Sequence, residues 1–242
     1  MKEINMNNKI TALRIIVFLL TLASTVCAQR AGDMIEPPAA NVVEQYFSVS
    51  TLTDEVVGRM LGKSLPADKE QWGRETLRYV RVLHVGTDGK TRIGELVCNK
   101  LIAGDLRDIF LALYRKGYKI ERMVLVDEYG GDDDASMRAN NTSCFNYRVV
   151  PGTNRLSNHG RGLAIDVNPF YNPWVRGQKV DPAEARPFAY NRGTAAMQKK
   201  SPVPIITTSD ACYKEFVRRG FTWGGVWRSS KDYQHFENTS RK

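Results

Sequence analysis

Ser157-Asn158-His159-Gly160-Arg161-Gly162-Leu163-Ala164-Ile165-Asp166 runs from a polar turn into a short apolar strand. The two glycines after His159 let the backbone turn tightly. The strand candidate Ala164 to Val167 then delivers Asp166. This arrangement can bring an imidazole and a carboxylate, seven residues apart in sequence, onto one point. A second stretch of the same character lies near the C-terminus: Asp232-Tyr233-Gln234-His235-Phe236-Glu237. From Thr142-Ser143-Cys144 onward, glycine, asparagine and aromatic residues dominate and regular periodicity weakens. Loops of that kind carry sites on rigid scaffolds.

The scaffold is read outward from there. Thr53 to Leu61 has the spacing of a short helix capped by Thr51 or Thr53. Arg78 to Val85 alternates as a strand, Asp88-Gly89 is a hairpin turn signal, and Thr91 to Cys98 is the returning strand. Leu106, Ile109, Phe110 and Leu113 place a helix over Asp105 to Lys116, which Gly117 ends. Ile120 to Val126 reads as a buried strand, and Ala135 to Ala139 as the start of a short helix. Pro173 to Pro204 reads as a long irregular stretch. Ser209 or Asp210 caps a helix to Arg219, with Gly220 after it, and Phe221 to Trp227 and Gln234 to Glu237 are short strands. Helices and strands do not alternate regularly, so the expected class is α+β.

Residues 1–28 read as an export signal. Lys2, Lys9 and Arg14 precede the apolar run Ile15 to Leu22, and Val26-Cys27-Ala28 offers a cleavage site. A lipoprotein anchored through Cys27 is the less favoured reading, because Val26 is not small. The apolar run is too short for a membrane span. The expected location is therefore periplasmic or extracellular. The formal net charge is +9, of which +7 lies beyond the signal. Such a charge serves solubility or attracts an anionic polymer; an exported protein rarely meets nucleic acid, so of the polymers cell wall is favoured. Cys98, Cys144 and Cys212 remain after the signal, an odd number that allows one pair and one free thiol. No CxxC is present, which argues against a cysteine metal site.

The chain has three histidines. His84 falls in a strand alternation and reads as a structural residue. His159, Asp166 and His235 have the chemistry of zinc ligands, and three protein ligands with one open position make a catalytic rather than a structural zinc site. Asp232 lies three residues before His235, close enough to act as general base on water. Arg148, in Phe145-Asn146-Tyr147-Arg148, is the first candidate to hold developing negative charge, with Arg155 and Arg161 behind it.

The pattern Ser157-x-His159-x-x-Gly162-x-Ala164-x-Asp166, followed by Asp232-x-x-His235, resembles the zinc D-Ala-D-Ala carboxypeptidases and L-alanyl-D-glutamate endopeptidases. That group includes the vancomycin-resistance carboxypeptidases and several phage endolysins. The stretch from Phe145 to His159 and the ending Trp223-Gly224-Gly225-Val226-Trp227 to Glu237 look most like the endolysin branch. The resemblance covers roughly residues 100–238 and implies a compact α+β fold with a small antiparallel sheet. It implies one zinc ion per chain on His159, Asp166 and His235, with Asp232 as base for the attacking water and Arg148 as the charge-stabilising group. The implied substrates are peptidoglycan stem peptides, cut at L-Ala-D-Glu or at D-Ala-D-Ala by a monomeric enzyme. On this reading the chain divides into a signal (1–28), a flexible leader (29–50), an extension of open role (51–100) and the zinc peptidase domain (101–242).

Two rival functions are carried along. A non-catalytic, zinc-containing wall-binding domain would resemble the hedgehog signalling domain, which keeps metal ligands on a similar fold; the presence of Asp232 and Arg148 argues for chemistry instead. A serine enzyme of the penicillin-binding type needs Ser-x-x-Lys and Lys-Thr-Gly, and neither occurs. Other features have plainer readings. Ser157 either orients His159 or starts a turn, and Trp223 and Trp227 either wall a groove or pack in the core. Glu237 either supports a metal ligand from behind or is a strand-end surface charge, the second being favoured, and Asp132-Asp133-Asp134 reads as a solvated loop without the spacing of a calcium site.

Overall fold

The computed structural model describes residues 29–150 and 152–240. The export signal, with Cys27, lies outside them.

In chain order the elements are β1 (Met34–Ile35), β2 (Ser48–Ser50), α1 (Asp54–Met60), α2 (Glu70–Thr76), β3 (Leu77–Val85), β4 (Thr91–Asn99), α3 (Ala103–Arg115) and α4 (Asp133–Arg138). After these come β5 (Ala164–Asp166), β6 (Trp174–Arg176), β7 (Lys179–Asp181), α5 (Ala195–Lys200), α6 (Ala211–Arg218), β8 (Thr222–Trp223), β9 (Lys231–Asp232) and β10 (His235–Glu237). Helices and small antiparallel sheets together make the α+β architecture.

Three sheets form among the described residues. The largest has the order β1-β4-β3-β2, and β3 and β4 pair along their whole length from Leu77↔Asn99 to Val85↔Thr91. Gly89, at φ +79°, turns the hairpin where Asp88-Gly89 predicts it. The second sheet, β5-β10-β8, carries the His/Asp motifs; the third is β7-β6-β9. α3 lays Leu106, Ile109, Phe110 and Leu113 onto the hairpin. The same core takes in Val80, Val82 and Leu96 from the hairpin, Ile165 and Phe236 from the second sheet, and Phe216 from α6. Phe216 stacks on Phe236 with centroids 4.2 Å apart, so α6 braces the back of the strand that carries His235.

Three expectations change. Residues 29–50 do not form a loose leader: β1 pairs with β4, β2 pairs with β3, and Val43 and Phe47 enter the core. Residues 51–100 supply the central hairpin. Ile120 to Val126 does not form a strand. Ile120 N–H donates to the Val85 carbonyl, but Glu121 N–H donates to Asn168 Oδ1 and Val124 N–H to Asn141 Oδ1. Side-chain amides thus do the work of a partner strand, while Ile120, Met123 and Leu125 are still buried. The stretch after Pro173 is also more regular than read, with the β6–β7 hairpin turning at Gly177 (φ +57°) and α5 beyond it.

Candidate metal centre

Strand register brings the two motifs together. β10 runs antiparallel to β5 with His235 opposite Asp166, Phe236 opposite Ile165 and Glu237 opposite Ala164. Alternation sends Ile165 and Phe236 into the core and leaves Asp166, His235 and Glu237 on the other face. His159 reaches that face from the turn before β5. Gly162 makes the turn possible: it sits at φ +67°, and a Cβ there would lie 2.6 Å from the Asn99 backbone nitrogen. Its carbonyl accepts from that same N–H at 2.8 Å, pinning the turn to the end of β4.

The ligating atoms of His159, Asp166 and His235 all lie within 4.8 Å of one another, and all three residues are buried. His159 Nε2 is 3.2 Å from Asp166 Oδ2 and 3.1 Å from His235 Nδ1, which is itself 3.2 Å from Asp166 Oδ1. The outward nitrogens are also committed. His159 Nδ1 meets the Cys144 carbonyl at 2.7 Å, and His235 Nε2 meets Glu237 Oε2 at 3.0 Å. A carbonyl and a carboxylate can only accept, so each ring donates outward and turns its other nitrogen inward. That is how metal-binding imidazoles are held.

The charges tell the same story. Burial pushes the Asp166 carboxyl up, but the two imidazoles outweigh it and hold the group well below the usual carboxylate range. Burial pulls the His235 imidazolium down, but hydrogen bonds to Asp166 and Glu237 outweigh that and raise it to about 10. Both shifts express a demand for positive charge among the three groups. A divalent cation held by the three groups would supply that charge in place of a proton on His235. Two nitrogens and one carboxylate oxygen suit zinc.

Asp232 lies beside this cluster on β9. It is partly buried, and its Oδ1 is sealed from solvent without a hydrogen-bond partner. Burial, with a contribution from the Asp166 charge, raises its pKa to about 7. Gly224 packs under it: a Cβ at Gly224 would lie 2.6 Å from the Asp232 carbonyl oxygen and 2.7 Å from its Cβ. Trp227 packs against the cluster, its ring centroid 5.3 Å from that of His235.

Arg148 sits one layer out. Its Nη2 donates to Asp133 Oδ2 at 2.7 Å, and its buried Nε has no partner. Asp133 feels the charges of His159 and Asp166. The acidic run is therefore not simply solvated: Asp132 caps α4 by accepting from Ala135 N–H, and Asp133 anchors Arg148 at the edge of the cluster. Arg155 and Arg161 are exposed. Ser157 Oγ accepts from Gly160 N–H at 2.9 Å, so it starts the turn. Trp223 belongs to the core, with its Nε1 donating to the Tyr233 carbonyl. His84 is a buried strand residue, as its alternation suggested. Cys98, Cys144 and Cys212 are buried free thiols, without the pair that their number allows.

Glu237 takes the less favoured of its two readings. It is not a surface charge but the partner of His235 Nε2, and Asn158 Nδ2 holds it in turn at 2.6 Å. Its position two residues after His235, on the same strand face, is the signal that favours that role. The Cys144 carbonyl that orients His159 has no such signal, because it belongs to the main chain.

Comparison with known proteins gives one match. A family model described as D-alanyl-D-alanine carboxypeptidase matches residues 151–238, a span that holds His159, Asp166, Asp232, His235 and Glu237 but not Arg148. Neither the curated proteins nor the solved structures contain a match to the chain.

Proposed function

We propose, for a chain whose residues 151–238 belong to the D-alanyl-D-alanine carboxypeptidase family, that it is a zinc peptidase of the bacterial cell wall. Its substrates are peptidoglycan stem peptides, cut at the L-alanyl-D-glutamate bond or at the terminal D-alanyl-D-alanine bond. It works after export, and removal of residues 1–28 leaves a chain in which no described helix is long and apolar enough to cross a membrane.

His159, Asp166 and His235 would hold one zinc ion. Zinc in such a set acts as a Lewis acid and makes water acidic near neutral pH. The carrying observation is Asp232: a carboxylate oxygen sealed from solvent, unpartnered, beside three convergent ligand atoms. A base whose pKa lies near 7 can take a proton from the attacking water and return it to the leaving amine within one turnover. Glu237 and the Cys144 carbonyl keep the two imidazoles in the tautomers that ligation needs. Trp227, packed against His235, would flank the bound peptide. Arg148 supplies positive charge at its edge, in part offset by Asp133.

The test is digestion of purified peptidoglycan with and without a zinc chelator, read by mass spectrometry. A chelator-sensitive cut is expected, and the fragment masses identify the bond. No cut by protein carrying one zinc per chain would sink the peptidase reading in favour of a zinc-containing wall-binding domain.

A further inference from the structure

Arg192 lies between β7 and α5 and is only 7% exposed. Its Nη1 donates to the carbonyls of Tyr171 at 3.0 Å and Phe188 at 2.7 Å. Its Nη2 donates to Asn172 Oδ1 and to the Ile206 carbonyl at 3.4 Å. The guanidinium carbon stands 4.0 Å from the centroid of the Tyr233 ring. Burial lowers the Arg192 pKa to about 10, so the group is still a cation at neutral pH. A buried charge is normally paired with an opposite one. Among the described residues no carboxylate pairs with Arg192; neutral oxygens and the negative face of a ring take that place.

These contacts lead to both motifs of the metal centre. Tyr233 follows Asp232 and precedes His235 by two residues. Its carbonyl accepts from Trp223 Nε1 at 2.9 Å, and its N–H donates to the Pro173 carbonyl at 3.4 Å. Asn172, fully buried, carries the other arm. Its Nδ2 donates to the carbonyls of Asn168 at 3.0 Å and Val167 at 3.4 Å. Val167 follows Asp166, and its own N–H donates to the Gln234 carbonyl at 3.0 Å.

The three candidate ligands have nearer supports. The Cys144 carbonyl holds His159, the Ser143 backbone pairs with Asp166, and Glu237 holds His235. Asp232 is less secured, because its buried Oδ1 has no hydrogen-bond partner. Its aim depends on the backbone that Tyr233 continues. A cavity of about 470 Å³ borders Arg192, Tyr233, Trp223 and Ile206. Without the guanidinium, the Tyr233 ring has room to swing into it.

We propose that Arg192 is a positioning residue for Asp232. By gripping the Tyr233 ring it fixes the backbone from which Asp232 reaches the metal cluster. The effect on rate rests on the peptidase reading; the hold on Tyr233 does not.

The test compares Arg192→Met, Arg192→Lys and Tyr233→Leu in the full chain. Zinc content, kcat and KM on a stem peptide are measured per folded molecule, and amide hydrogen exchange is followed residue by residue. Arg192→Met should lower kcat about 10–100-fold, as a misplaced catalytic group does, with zinc retained and KM changed by less than about threefold. The amides of Tyr233 and Val167 should exchange faster, while those of the β3–β4 hairpin keep their protection. Arg192→Lys, which retains the charge, should recover part of the loss. Tyr233→Leu leaves the guanidinium clamp in place and should reproduce the fall in kcat, so it carries the test if Arg192→Met does not fold. Combined, the two changes should cost little more than the larger of them alone. The proposal fails if Arg192→Met and Tyr233→Leu turn over at the parent rate when folded and zinc-loaded. It fails equally if exchange rises by the same factor throughout the molecule, which marks a general loss of stability. A parent chain that cuts no peptide would refute the peptidase reading, and the exchange pattern would still decide whether Arg192 holds Tyr233.

Discussion

The β3–β4 hairpin and the β5–β10 pair are both antiparallel, yet they are built from opposite materials. The hairpin pairs nine residues on each strand and buries Val80, Val82, Leu83, Ile93 and Leu96 completely or nearly so. The β5–β10 pair has three residues on each strand, and Asp166, His235 and Glu237 among them are titratable. Long strands secured by apolar area can carry themselves. Three-residue strands packed with charge cannot, and here α6, the Gly162 turn and the bridge from Ser143 to Asp166 hold them in place. One region supplies stability and the other spends it.

The sharpest test of that division is Asp232→Ala. It should lower kcat by roughly 10²–10⁴-fold, the usual contribution of a general base. Zinc content should stay, and thermal stability should hold or rise, because one buried oxygen of the carboxylate removed has no hydrogen-bond partner. A near-normal turnover in metal-loaded protein would remove Asp232 from the mechanism.

In the hairpin, Leu96→Ala should do the reverse. Leu96 is 1% exposed, so truncation should cost about 2–5 kcal/mol in urea unfolding. Zinc content and turnover per folded molecule should not change. Equal loss of zinc affinity would mean that the two regions are one cooperative device rather than frame and site.

The hairpin also hides its own titration. His84 has a pKa of about 4 when folded, below the ordinary histidine value of about 6.5 that the unfolded chain would show. Between these values the unfolded state binds more protons, so stability rises with pH across the window. The contribution is complete above about pH 6.5 and is lost as pH falls toward 4, amounting to about 3 kcal/mol. Urea midpoints of metal-free protein across that window, compared with His84→Leu, isolate it. Parallel curves would show that His84 does not titrate with folding.

The smallest effect belongs to Glu237→Gln. It keeps the shape but weakens the acceptor for His235 Nε2, and zinc affinity should fall about 10–100-fold with little change in folding. Competition with a coloured chelator measures it. Unchanged affinity would return Glu237 to the role of a plain strand-end charge.

What was legible in sequence follows the same division. The hairpin could be read because nine-residue strands show alternation and Asp88-Gly89 marks the turn. The three candidate ligands could be picked out because imidazoles are scarce and the glycines around His159 fix its setting, and the fold brings their ligating atoms within 4.8 Å of one another. β1 and β2 could not be read, since two or three residues carry no period and take their strand form from the hairpin edge. The segment 120–126 misled because apolar burial was satisfied while its backbone partners were the amides of Asn141 and Asn168. Arg148 was found as a residue, but not its tether to Asp133, which depends on a fold bringing α4 against the loop.

The facing of His235 and Asp166 across two short strands has a consequence for assembly. A slip of one residue in this ladder would bring Gln234 or Phe236 opposite Asp166 and turn the imidazole toward the core. Such a mispaired chain would lose one of the three candidate ligands from the cluster. Binding of the proposed metal would then act as a proofreading step, stabilising only molecules whose last strand has docked in the right frame.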